Sequence, residues 1–233
     1  QRYDATGTTS GAEFQVNTYT AGISMGQRFP SVSALSDGGF VVTWESYGQD
    51  GSFYGIYGQR YDASGTTSGV EFRVNTYTSS SQSYPSVSSL SDGGFVVTWQ
   101  SEEQDGSGYG TYGQRYDASG TTSGVEFRVN TYTGSSQNYP SVSSLSDGGF
   151  VVTWQSEEQD GSGYGTYGQR YDASGTTSGV EFRVNTHTSS SESSSSVSSL
   201  SDGGFVVTWH SNSSDGSGYG IYGQRYDATG TTS

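Results

Sequence analysis

One pattern of apolar and polar positions runs through the chain four times. Its strongest element is the run Phe-Val-Val-Thr-Trp, which begins at Phe40, Phe95, Phe150 and Phe205, 55 residues apart. Each copy follows an Asp-Gly-Gly turn and is apolar on both faces, as expected of a strand packed between two neighbouring sheets. In the second copy, residues 85–90 predict a Ser-rich strand (A), and Ser91-Asp92-Gly93-Gly94 predicts a hairpin turn whose glycines accept positive φ. Residues 95–100 predict a strongly β-prone strand B. After a polar loop over 101–108, the alternation of Gly, Tyr, Gln and Arg over 109–116 predicts strand C. A Ser/Thr/Gly turn at 119–124 then leads into strand D over 125–131. Four antiparallel strands in about 50 residues fit a propeller blade and are too long for one coil of a β-helix.

A second marker, Gln-Arg-Tyr-Asp, begins at Gln1, Gln59, Gln114, Gln169 and Gln224, so it occurs five times against four of the other. The chain therefore enters at the end of a C strand, makes a D strand at 13–18, runs through three complete blades, and ends with A, B and C of a fourth. This predicts an all-β, four-bladed β-propeller of 55-residue, four-stranded repeats, closed by the N-terminal D strand pairing with the last C strand. The expected organisation is one repeat domain over 1–233, with repeats at 30–84, 85–139, 140–194, and 195–233 joined by 11–29. The rival is an open or domain-swapped array, because identical repeats pair with another chain's as easily as with their own. The stretch Gln-Arg-Tyr-Asp-Ala-Thr-Gly-Thr-Thr-Ser stands at both 1–10 and 224–233, while a closed ring has one slot for it. The C-terminal copy continues a complete strand and is expected to win, leaving residues 1–4 to fray or to meet a neighbouring subunit.

Composition changes this picture in three ways. Leu, Ile, Val and Phe total 36 of 233 residues, a level that alone suggests disorder; the 19 Tyr and 4 Trp at regular intervals, with 36 Gly and 3 Pro, restore the reading of short strands and tight turns. Nine basic residues against 23 acidic ones give a net charge of -14, which repels phosphate backbones and argues against nucleic acid as a partner. Cysteine is absent, which excludes disulfides, thiolate metal sites and cysteine nucleophiles. No apolar stretch approaches the roughly 18 residues of a membrane span. The start at Gln1, without a signal-like segment, suggests a mature product or a piece of something longer.

The strand order puts the B-to-C and D-to-A loops on one propeller face, and differences between the copies concentrate there. Asp50, Asp105 and Asp160 each head an Asp-Gly-Ser-X-Tyr-Gly loop, with Glu102, Glu103, Glu157 and Glu158 nearby; acidic Gly-rich hairpins offer the hard oxygens that calcium takes. Calcium is the expected ion at Asp105 and Asp160, and more weakly or not at all at Asp215, which lacks the two glutamates, against the alternative of plain Asp-Gly turns with solvated carboxylates. On the same face, Tyr54, Tyr77, Tyr109, Tyr132, Tyr164 and Tyr219 are the candidate ligand surface. Trp44, Trp99, Trp154 and Trp209 share a face with the strand-B phenylalanines and are assigned to the core between blades. Tyr57, Tyr112, Tyr167 and Tyr222 are read as packing residues too. Arg60, Arg115, Arg170 and Arg225 are expected to pair across strands with Glu71, Glu126, Glu181 and Glu13. Nearly every candidate recurs four times, whereas one active site needs a constellation that occurs once. On this ground the chain is expected not to be an enzyme.

Units of the form Gly-Gly-Phe-Val-Val-Thr-Trp-Gln-Ser, then Gln-Asp-Gly-Ser-Gly-Tyr-Gly-Ile-Tyr-Gly-Gln-Arg-Tyr-Asp, then Glu-Phe-Arg-Val-Asn-Thr, resemble the tandem repeats of very large secreted bacterial surface proteins. Those repeats often accompany cadherin-like and calcium-binding modules. The resemblance covers essentially the whole chain and implies an extracellular, cell-surface and calcium-containing setting. It leads to the expectation of a non-catalytic module for adhesion or scaffolding, with self-association or a surface protein as partner. The alternative is a lectin that stacks the tyrosines of its variable face on the sugar rings of an extracellular glycan.

Overall fold

The computed structural model describes residues 1–20, 26–188, 191–212 and 216–233. A short hairpin of β1 (Arg2–Tyr3) and β2 (Thr9–Ser10) precedes four antiparallel sheets. Blade 1 comprises β3 (Gln27–Ala34), β4 (Phe40–Tyr47), β5 (Tyr54–Tyr61) and β6 (Thr67–Arg73). Blade 2 comprises β7 (Gln82–Ser89), β8 (Phe95–Glu102), β9 (Tyr109–Tyr116) and β10 (Thr122–Arg128). Blade 3 comprises β11 (Gln137–Ser144), β12 (Phe150–Glu157), β13 (Tyr164–Tyr171) and the short β14 (Phe182–Arg183). Blade 4 has β15 (Glu192–Ser199), β16 (Phe205–Asn212) and β17 (Tyr219–Tyr226). The fold is the all-β, four-bladed propeller that the repeat predicts, but among the described residues the expected closing ladder between residues 13–18 and the last C strand is not formed.

The composition of the inner strands follows from their place on the axis. Successive A strands lie side by side, and serine hydroxyls of one accept backbone N–H groups of the next: Val87 and Ser89 donate to Ser31 and Ser33, Val142 and Ser144 to Ser86 and Ser88, and Val197 and Ser199 to Ser141 and Ser143. The hydroxyls thereby satisfy donors that the sheets' own ladders leave open. One strand further out, Leu35, Val41, Ile56 and Val74 of blade 1 pack on Val87, Phe95, Val97, Trp99, Tyr112 and Tyr116 of blade 2. The same interlock joins blades 2 and 3, and blades 3 and 4. Trp99 and Trp154 are fully buried there. Phe95 lies opposite Tyr116 and stacks on it with ring centres 4.6 Å apart. Phe72, from the D strand of the preceding blade, leans on the same tyrosine at 5.3 Å. Gly58 belongs to this arrangement, since a Cβ there would meet the Phe72 ring at 2.8 Å.

Three details differ from the sequence reading. Strand A begins earlier than expected, at Gln82 instead of Pro85, because a bulge between Ser83 and Ser86 lets the ladder continue across the proline. The strand-C arginines do not pair with the D-strand glutamates. Arg60 donates to the carbonyls of Ala118 and Ser119 in the next blade's C-to-D turn, Arg115 to those of Ala173 and Ser174, and Arg170 to those of Ala228 and Thr229. The glutamates turn instead to the preceding D strand: Glu126 accepts from the N–H and hydroxyl of Thr76, and Glu181 from those of Thr131. The third difference concerns the duplicated end. Arg2 binds the carbonyls of Ala63 and Ser64, the contact that Arg60 makes one blade later. The N-terminal copy therefore holds the slot beside blade 1, against the expectation that the C-terminal copy would win it. Phe14 continues the substitution, resting 5.3 Å from Tyr61 as Phe72 does from Tyr116. Residues 1–18 thus take the place of a preceding blade's outer half, while β17 pairs with β16 and, among the described residues, with no further strand.

Candidate functional site

The bulge in each A strand directs one side chain toward the axis. Phe29, Tyr84, Tyr139 and Ser194 occupy this position, with φ of 51°, 55°, 53° and 54°. This left-handed region is rare for bulky residues and costs on the order of 1–3 kcal/mol, so the surroundings must enforce it. The feature common to all four is the strand-A bulge, and in blades 2 to 4 a contact from strand B of the preceding blade adds to it. Tyr84 N–H donates to Glu45 (3.4 Å), Tyr139 N–H to Gln100 (3.1 Å) and Ser194 N–H to Gln155 (3.4 Å). The rings of Phe29 and Tyr84 lie 4.4 Å apart, and those of Tyr84 and Tyr139 4.6 Å apart. The result is a continuous aromatic arc around three quarters of the axis.

On the B-to-C and D-to-A loop face, Tyr84 and Tyr139 of this arc line a cavity of about 540 Å³. Its wall carries Tyr54, Tyr109 and Tyr164 with Gln100, Asn138 and Gln155. Arg28 stands at the rim, its guanidinium 4.1 Å above the Tyr54 ring and 5.1 Å from that of Phe29, and it pairs with the buried Glu45. Burial pushes the Glu45 carboxyl above the usual carboxylate range, against the lowering effect of Arg28. Flat aromatic faces interleaved with amides and one guanidinium present stacking surfaces and bidentate hydrogen-bond partners together.

Of the tyrosines expected on the ligand face, Tyr54, Tyr109 and Tyr164 line this funnel. Tyr219 lies at the open edge of blade 4, edge-on to His210. Tyr77 and Tyr132 are not among the funnel's lining residues; their carbonyls accept from Asn75 and Asn130 behind the D-to-A loops. The acidic loops do not converge. Glu102 accepts from Ser81 N–H and Glu157 from the Ser135 hydroxyl. Glu103 and Glu158 are exposed at positive-φ turn positions. Asp50, Asp105 and Asp160 accept from the N–H two residues on, as Asx turns do. Asp160 also lies 4.0 Å from Arg183. Among the described residues, no three acidic or histidine side chains gather as a metal ion requires, and Asp215 lies outside them. Sequence reasoning missed Phe29, Tyr84, Tyr139, Arg28 and Glu45 as site residues. The available signal was the aromatic-Pro pair at 29–30, 84–85 and 139–140, inside a segment otherwise free to vary.

No family model matches the chain, and no curated protein matches it in sequence. Solved structures do match in fold. A protein of unknown function from Dyadobacter fermentans aligns with a TM-score of 0.65 at 12% identity, over 90% of this chain and 68% of that one. The GH93 α-L-arabinofuranosidase of Fusarium graminearum, solved with arabinobiose, aligns at 0.58 and 13% identity, over 86% of this chain and 62% of the enzyme. The endo-arabinase of Bacteroides thetaiotaomicron aligns at 0.52 and 18%, over 82% of this chain and 72% of the enzyme. The chain thus spans from just under two thirds to under three quarters of these structures. These neighbours overturn the expectation of a non-catalytic adhesion or scaffold module, and with it the expectation that the chain is not an enzyme: the fold is shared with carbohydrate-cleaving enzymes. The argument from fourfold repetition fails for a physical reason. At the axis the four copies are unequal, and Arg28, Glu45 and His210 each occur once in their positions.

Proposed function

We propose that this chain is a carbohydrate-active propeller that takes a glycan chain into the funnel on its loop face. The observation that carries the reading is the lining itself: Tyr54, Tyr84, Tyr109, Tyr139 and Tyr164 alternate with Gln100, Asn138, Gln155 and Arg28 around one cavity. Sugar rings have apolar C–H faces that stack on aromatic rings and hydroxyls that pair with amides and guanidinium. The cavity falls within the roughly 300–1,000 Å³ range of small-ligand sites. The fold neighbours include arabinan- and arabinoside-cleaving enzymes and an endo-1,4-β-xylanase, which makes arabino- and xylo-oligosaccharides the first probes. Among the described residues no carboxylate lines the funnel directly; Glu45 touches it through Arg28, so binding is the part of carbohydrate activity that these side chains support most directly. Calorimetric titration with arabinobiose, arabinotriose and the matching xylo-oligosaccharides tests it, with reducing-end release followed in the same samples. Saturable binding that Tyr109→Ala and Tyr164→Ala weaken about tenfold or more supports the reading, since each tenfold corresponds to about 1.4 kcal/mol of lost contact. Absence of binding across the panel, or binding indifferent to both substitutions, rejects it.

A further inference from the structure

Blade 4 keeps the device that holds an aromatic ring at the axis and omits the ring. Ser194 stands where the other blades have Phe29, Tyr84 and Tyr139, and Ser195 stands where they have proline. The backbone has not relaxed in response. Ser194 retains φ of 54°, the bulge persists between Ser193 and Ser196, and Ser194 N–H still donates to Gln155. A serine free of constraint has no reason to stay in the left-handed region. The three rings that remain touch in sequence, and the arc they form stops at Tyr139. An axial cavity of about 380 Å³ is lined by the equivalent residues of all four blades, Phe29, Tyr84 and Tyr139 with the prolines that follow them, and Ser194 with Ser195 in place of ring and proline. Tyr84 and Tyr139 line both this cavity and the funnel, so the two adjoin at these rings.

We infer that this vacated fourth position is a sugar subsite. A single furanose or pyranose ring stacks on Tyr139 in the place of the absent aromatic ring, with the Ser194 hydroxyl within its reach, and the rest of the glycan runs up past Tyr109 and Tyr164. The inference rests on the glycan reading and sharpens it: the subsite admits one ring, so the chain enters by its end and not by an interior segment. The repeat supplies its own blocking substitution. Ser194→Tyr restores the residue that blades 2 and 3 carry at the same bulge, in a backbone already shaped for it.

The experiment titrates arabinobiose, arabinotriose and the xylo-oligosaccharides into the wild-type chain, Ser194→Tyr, Ser194→Ala and Tyr109→Ala, with melting temperatures recorded for each. The expected result is a Ser194→Tyr chain that melts at or above the wild-type temperature and has lost affinity by at least about tenfold, while Ser194→Ala stays within about threefold. Wild-type binding that Tyr109→Ala weakens and Ser194→Tyr leaves intact overturns the subsite and spares the funnel. No wild-type binding at all overturns both. Should Ser194→Tyr fail to fold, ligand-induced shifts of aromatic ring protons in the wild-type chain decide instead. Shifts at Tyr139 support the subsite, and shifts confined to Tyr109 and Tyr164 overturn it.

Discussion

Blades 2 and 4 are built from nearly the same residues and end in different physical states. Thr111, in the middle of β9, is fully buried, and its counterpart Ile221 in β17 is 80% exposed. The Arg115 side chain is 10% exposed, held by two turn carbonyls of the next blade, while that of Arg225 is 50% exposed and meets Asp202 and Ser233 within its own blade. Local sequence cannot be the cause, because Tyr-Gly-X-Tyr-Gly-Gln-Arg-Tyr is common to both strands. What differs is the neighbour. In a repeat array each unit completes the core of the next, so burial belongs to the interface and not to the residue.

The largest effect that follows is on the tryptophans. Trp154→Ala empties a fully enclosed site between blades and is expected to cost about 4 kcal/mol, while Trp209→Ala, buried on the blade 3 side but 8% exposed at the open edge, costs about 3 kcal/mol. Urea denaturation of both variants measures the gap, and equal losses would mean that blade 4 is covered in solution. Next in size is completion of blade 4. Extending the chain past Ser233 with Gly-Val-Glu-Phe-Arg-Val-Asn-Thr, the sequence that follows Ser178 in blade 3, supplies an outer strand for β17 and covers Ile221. Burial of one such side chain corresponds to about 2 kcal/mol. For a chain of this length that raises the melting temperature by about 4–8 °C. An unchanged melting temperature would show that residues 13–18 already occupy that edge in solution.

The same contrast explains what was legible in the sequence. The Phe-Val-Val-Thr-Trp strands, the Asp-Gly-Gly turns and the 55-residue period follow from local pattern, and all three are present. The partners of Arg60 and its equivalents were not legible, because their acceptors are main-chain carbonyls 58 and 59 residues away, and a carbonyl leaves no mark in sequence. The tyrosines of the funnel were half legible. Tyr54, Tyr109 and Tyr164 follow from strand alternation and loop placement. Tyr84 and Tyr139 reach the axis only through a bulge and a left-handed backbone that alternation does not encode. Strand continuity favours the C-terminal copy for the duplicated slot, but the reach of Arg2 to the carbonyls of blade 1, which leaves no mark in sequence, places the N-terminal copy there.

A smaller effect separates the arginines. Arg115→Ala removes two charge-assisted bonds from a mostly buried guanidinium to turn carbonyls of the next blade and is expected to cost about 2 kcal/mol. Arg225→Ala, exposed at the chain end, is expected to change stability by less than about 0.5 kcal/mol. Thermal melts at matched salt compare the pair, and a loss at Arg225 equal to that at Arg115 would place a neighbouring blade's turn against it in solution.

The smallest effect concerns the C-to-D turns, where the blades are alike and the comparison predicts no difference. Asp62, Asp117, Asp172 and Asp227 each accept hydrogen bonds from the hydroxyl and N–H two residues on and from the N–H four residues on. The hydroxyl of Ser64, Ser119, Ser174 or Thr229 contributes most to holding these carboxyls below the usual range, with the turn's N–H groups adding to it. A carboxyl whose folded value is depressed binds fewer protons in the folded chain than in the unfolded one. Its contribution to stability is therefore fully present above the unfolded value of about 3.9 and is lost as pH falls through the folded value. Melting temperatures recorded from pH 6 to pH 2 should fall on the acid side. Ser119→Ala should flatten that limb slightly, and Thr229→Ala should flatten it by the same amount, because these turns are closed by their own residues and need no neighbouring blade. A flattening at Ser119 with none at Thr229 would extend the dependence on neighbours from the core to the turns.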